Sequence, residues 1–88
     1  MFGIFYTDEF SHRYKELPEA IKKKLRKQEK IFRINPHHPS LNTEKLQPKD
    51  RELWSFRVDK SYRVIFCFLE GRKVVLLTVG PHNWIYSF

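Results

Sequence analysis

Apolar residues in this chain fall first in a short run, then at helical spacing, and finally in alternation. The run from Phe2 to Tyr6 predicts an opening strand. Thr7-Asp8-Glu9 reads as a helix start, a hydroxyl cap ahead of two acids that suit the positive end of a helix dipole. Phe10, Tyr14 and Leu17 recur at helical spacing and predict a short first helix. Pro18 suits the first position of a second helix, where its missing N–H costs nothing. Along that helix Ile21, Leu25, Gln28 and Phe32 make one semi-apolar stripe, with lysines on the other faces. Asn35-Pro36 ends it, because the residue before a proline disfavours helical geometry.

Residues 37–51 carry Pro39 and Pro48 and little apolar content, so they read as a loop. Strands are expected at 53–58, 62–69 and 73–79, with Glu70-Gly71 as a tight turn between the last two. The order β-α-α-β-β-β implies a single α+β domain over residues 1–88, with two helices packed on a small, mostly antiparallel four-stranded sheet.

The first of the long hairpins has a derivable register. Pairing Trp54 with Phe66, Phe56 with Val64 and Val58 with Tyr62 gathers six apolar side chains on one face. A one-residue slip would set Phe56 against Arg63 and mix the faces. The chosen register leaves Asp59-Lys60-Ser61 as the loop and makes Arg57 and Arg63 direct cross-strand neighbours on the other face. Like charges set opposite each other destabilise a sheet unless they splay into water or hold an anion between them. With the second hairpin paired so that Thr78 lies beside Arg63, His82 emerges on the same face. Arg57, Arg63 and His82 would then meet at one sheet end as an exposed phosphate site.

Charge adds a partner class. The 88 residues carry 17 Lys and Arg against 10 Asp and Glu, a formal net charge of +7. The excess concentrates between Ala20 and Arg33, where Lys22, Lys23, Lys24, Arg26, Lys27, Lys30 and Arg33 stand against Glu29 alone. Such a surface suits a polyanion, either nucleic acid or an acidic protein segment. A lone Cys67 excludes an internal disulfide and fits a reducing compartment. No apolar run approaches the roughly 20 residues of a membrane span. His37-His38 lacks further ligands at metal spacing, so neither a metal nor any other cofactor is expected.

The segment from Leu53 through Asp59 to Phe66 resembles the central hairpin of the RelE/ParE superfamily, the toxins of bacterial type II toxin–antitoxin pairs. Val79-Gly80-Pro81-His82-Asn83-Trp84-Ile85-Tyr86 resembles its C-terminal motif, and His38-Pro39-Ser40-Leu41 with Lys45-Leu46 also resembles the family. Together with the element order, the resemblance covers essentially the whole chain. It is nearest in motif to the YafQ-like and YoeB-like mRNA interferases. It departs from RelE in having apolar residues for the strand lysines, and from YafQ in lacking an aspartate before Arg63.

The resemblance implies a cytoplasmic toxin that inhibits translation as a metal-independent endoribonuclease, cutting mRNA on the ribosome under control of a cognate antitoxin. It implies catalytic roles for Arg63 on the scissile phosphate, Arg57 beside it, His82, Tyr86 and Glu44. Read by itself, Glu44 is a solvated loop carboxylate and Tyr86 an ordinary core aromatic. Which of Glu44 and His82 would be the base stays open. Lys45, Lys49, Arg51 and Lys60 are the expected RNA contacts, and Lys22, Lys23 and Lys27 the expected antitoxin contacts. ParE-type members poison DNA gyrase instead, and a basic RNA-binding module without activity would share the same charge.

Overall fold

The computed structural model describes residues 1–85. Strand β1 (Gly3–Tyr6) leads into helices α1 (Asp8–Glu16) and α2 (Glu19–Ile34). Strands β2 (Glu44–Lys45), β3 (Trp54–Arg57), β4 (Tyr62–Leu69) and β5 (Lys73–Pro81) follow, and a short helix α3 (His82–Ile85) closes the described chain. The strands form one sheet in the order β1-β5-β4-β3-β2, parallel only between β1 and β5. The sheet is therefore five-stranded rather than four-stranded. The added strand is two residues long, too short to show an alternating pattern, and it exists because it pairs with β3.

The helix starts are local chemistry. Thr7 Oγ1 accepts the Phe10 N–H at 3.0 Å and donates to the Leu77 carbonyl at 2.6 Å, so one hydroxyl caps α1 and ties it to β5. Pro18 stands just outside α2 rather than at its first position. Its carbonyl accepts the N–H groups of Ile21 and Lys22. Helix α2 buries Leu25, Gln28 and Phe32 and stops at Asn35, as the stripe and the following proline predict.

The face of the sheet toward the helices forms the main core. Phe32 lies with its ring centroid 4.8 Å from that of Phe56 and 4.9 Å from that of Phe66. The β3–β4 register is the expected one, with Trp54 opposite Phe66, Phe56 opposite Val64 and Arg57 opposite Arg63. Asp59 closes the turn, its carboxylate accepting the Ser61 and Tyr62 N–H groups at 2.8 and 2.9 Å.

The second hairpin differs from expectation. Its loop has three residues, Glu70, Gly71 and Arg72, with Gly71 and Arg72 in the left-handed region at φ 74° and 57°. The register then shifts beside Ile65 and Phe66, where β5 accommodates Leu77 as an extra residue. Thr78 consequently faces Ile65, and Gly80 rather than Thr78 faces Arg63. The shift has a packing reason. It sends both Leu76 and Val79 into the main core while Leu77 joins Leu46, Ile65 and Ile85 on the opposite face.

Residues 37–51 are more ordered than a plain loop. They hold two 3₁₀ turns, Pro39–Leu41 and Lys49–Arg51, and fully bury Leu41. Among the described residues no helix is long and apolar enough to cross a membrane.

Candidate active site

Arg57 and Arg63 sit opposite each other on the face away from the long helices, yet their environments differ. Arg57 is half-exposed, whereas Arg63 is only 5% exposed. The expectation of an exposed Arg63 is therefore corrected. Segment 39–42 packs at that end of the sheet, and the guanidinium is fastened beneath it. Arg63 Nε donates to Ser55 Oγ at 2.9 Å, and Nη2 donates to the Asn42 carbonyl at 2.6 Å and to the Ser55 carbonyl at 3.4 Å. All three acceptors are uncharged. Among the described residues no carboxylate pairs with Arg63, so a fixed positive charge is held with its orientation set but its charge uncompensated. That is the electrostatic condition of an anion site.

An open concavity of about 260 Å³ lies over this pair, lined by Asn42, Arg57, Asp59, Lys60, Arg63 and His82. His82 begins α3, with its side of the turn pinned by its backbone N–H donating to the Ser61 carbonyl at 2.7 Å. Gly80 makes that placement possible. A Cβ there would come within 2.4 Å of the Trp84 ring, so only glycine lets the indole lie on the strand and turn the chain into α3. The Arg13 guanidinium carbon sits 4.6 Å from the Trp84 ring centroid and ties α1 to the same feature. Burial pushes the Asp59 carboxyl up. The Ser61 and Tyr62 N–H groups and Lys24, whose Nζ lies 3.4 Å from the carboxylate, outweigh that effect and hold it below the usual aspartate value. Asp59 is thus an ionised turn-former whose oxygens are already engaged.

The sequence model for RelE-like toxins of the HigB type II toxin–antitoxin system matches residues 2–82. The chain belongs to this family. No curated protein matches the toxin at the sequence level. Its fold is similar to RelE of Pyrococcus horikoshii, solved with RelB, at a TM-score of 0.76 and 17% identity, covering 93% of this chain and 96% of that one. YafQ of Escherichia coli is similar at 0.76 and 17%, covering 98% and 99%. YoeB of Staphylococcus aureus, in complex with YefM, is similar at 0.73 and 16%, covering 93% and 98%.

The other expected site residues of the toxin divide. Lys60 lines the concavity. Glu44 does not: it is exposed opposite Ser55 on β2 and lines a neighbouring cavity of about 470 Å³ together with Arg51. Lys45 projects to the face of its partner Trp54, with its Nζ 5.8 Å from that ring centroid and 2.7 Å from Glu52. Lys49 is exposed in its 3₁₀ turn. On α2, Lys23 and Lys27 are exposed, while Lys22 lies against Tyr14 and pairs with Glu19 at 3.5 Å. Tyr86 lies outside the described residues. Burial pushes the Cys67 thiol up, away from the reactive thiolate. Ser55 and Asn42, which hold Arg63, escaped the sequence reading. A small hydroxyl set between Trp54 and Phe56 in a strand was the available signal for the first. Nothing local marked the second.

Proposed function

We propose that this toxin is an endoribonuclease that cuts mRNA at the ribosome and is silenced by a cognate antitoxin in the cytoplasm. The carrying observation is the buried, uncompensated Arg63 facing Arg57 and His82 across one open concavity. Cleavage uses the substrate's own 2′-oxygen. That oxygen loses its proton to a base and bonds to the phosphorus, and the bond to the 5′-oxygen breaks as an acid protonates it. Arg63 and Arg57 neutralise the crowded phosphate, because a guanidinium meets two oxygens at once and does not lose its charge. His82 transfers a proton, since an imidazole ring carries one nitrogen that can accept a proton and one that can donate it. Glu44, lying in the next cavity on the same sheet face, is the second candidate for base.

The concavity is smaller than the roughly 300–1,000 Å³ of a pocket that encloses a small ligand. It engages little more than the phosphate, and the ribosome supplies the remaining hold on the message. The solved relatives RelE and YoeB are each recorded with a partner, RelB and YefM, which supports an antitoxin here. The exposed lysines of α2 offer such a partner an acidic-segment surface.

Incubation with mRNA, with and without ribosomes, beside a 2′-deoxy copy tests the reading. Cutting of mRNA but not of the 2′-deoxy copy, greater with ribosomes present and lost in Arg63→Ala, is the expected result. Binding of both strands without cleavage would leave a nucleic-acid-binding module, and no effect on either would direct attention to gyrase.

A further inference from the structure

Among the buried residues of α2, Gln28 is polar, 8% exposed, and lies in the stripe between Leu25 and Phe32. Its Nε2 donates to the Ser40 carbonyl at 3.0 Å and to the Arg57 carbonyl at 2.8 Å. Two carbonyls facing one end of the amide require that end to be the NH₂ group, because an amide oxygen there would repel both.

One acceptor residue, Arg57, lines the concavity, and the other lies two residues from its rim. Ser40 stands two residues before Asn42, whose carbonyl grips Arg63 Nη2 at 2.6 Å. The intervening chain is stiff. Ser40 and the fully buried Leu41 are in the 3₁₀ turn, and Asn42 closes it with its N–H on the Pro39 carbonyl at 3.2 Å and a left-handed φ of 44°. One amide therefore spans from the helix to the backbone of Arg57 and to the turn that holds Arg63.

We propose that Gln28 is the positioning residue of the concavity: by fixing the Arg57 backbone and the 40–42 turn together, it sets the separation at which the two guanidinium groups meet a phosphate. Gln28 touches no substrate and acts only through those two carbonyls. A methionine of similar length would fill the same space and leave both carbonyls without a donor. The helix needs neither bond for itself, so the glutamine serves what lies beyond the helix. Displacing a positioning group by about 1 Å costs on the order of 10²-fold in rate. The proposal rests on the reading of the concavity as a phosphate site.

The test compares the whole toxin with Gln28→Met by mRNA cleavage and by ¹⁵N NMR of the Arg63 Nε–H, which is buried on Ser55 Oγ. In Gln28→Met, kcat should fall about 10- to 100-fold with KM within about threefold, and Nε–H exchange with water should quicken about tenfold or more. A folded variant with parental kcat and parental exchange overturns the proposal, and so does a loss confined to KM. Should Gln28→Met fail to fold, Gln28→Lys and Gln28→Glu replace it, since each places one charge but only lysine can donate to the carbonyls. A kcat at least about tenfold higher in the lysine variant supports the proposal, and equal values overturn it. If the parent cuts no mRNA even with ribosomes, the nuclease reading fails, and the Nε–H exchange still decides whether Gln28 positions Arg63.

Discussion

The two faces of the sheet are packed by opposite rules. Toward the helices, Phe32, Phe56 and Phe66 interlock among Val64, Val74 and Leu76, all fully buried and apolar. On the other face, Leu46, Ile65 and Ile85 form a smaller cluster, and the same layer buries Ser55, Arg63 and Thr78. Among the described residues Thr78 Oγ1 has no hydrogen-bond partner, a kind of defect that costs roughly 1–3 kcal/mol. A face stabilised by close aromatic packing can support a second face that holds polar groups at a cost. The candidate site lies on that second face.

The sharpest way to break the contrast is to remove a ring from the first face. Phe32→Ala should lower the unfolding free energy by about 3–5 kcal/mol, measured by denaturant unfolding. A loss below about 1 kcal/mol would mean that the aromatic face does not dominate stability.

On the second face, Arg63→Ala should slow cleavage by about 10²-fold or more. It should also cost about 1–3 kcal/mol of stability, because Ser55 and Asn42 lose their donor. His82→Ala should slow cleavage about as much. Its melting temperature should stay near the parent's, since the side chain is exposed. Thermal melts run beside cleavage assays separate the two variants, and equal melting temperatures would erase the distinction between buried and exposed halves of the site.

Reversing Lys22, Lys23 and Lys27 to Glu leaves both faces of the sheet intact. Antitoxin association should slow in stopped-flow mixing and lose much of its salt dependence. Unchanged association would assign that helix surface to RNA or the ribosome.

The smallest effect concerns the turn at the site's rim. The folded Asp59 carboxyl titrates below its ordinary value of 3.8, so its contribution to stability is complete above that pH and fades as pH falls through the lower folded value. In Asp59→Asn that part of the acid loss should vanish, which unfolding curves collected below pH 4 would reveal.

What the sequence determined by itself is what short-range chemistry decides. Thr7 caps α1 because a hydroxyl three residues ahead of the Phe10 N–H reaches it from any helix start. The β3–β4 register was legible because a one-residue slip would have turned every apolar side chain away from the core. That register already implied that Arg57 and Arg63 share a face, and with His82 they line one concavity. The rest depended on segments far apart in sequence. The Leu77 shift answers to which side chains the helices and the second cluster can accept, and β2 answers to β3. Arg63 is buried because Asn42, 21 residues earlier, folds its carbonyl onto the guanidinium, and the same local pattern would suit an exposed arginine equally well. Alternation decides which face a side chain takes, but its depth depends on what the remaining chain lays over it. That is decided only when the whole chain packs.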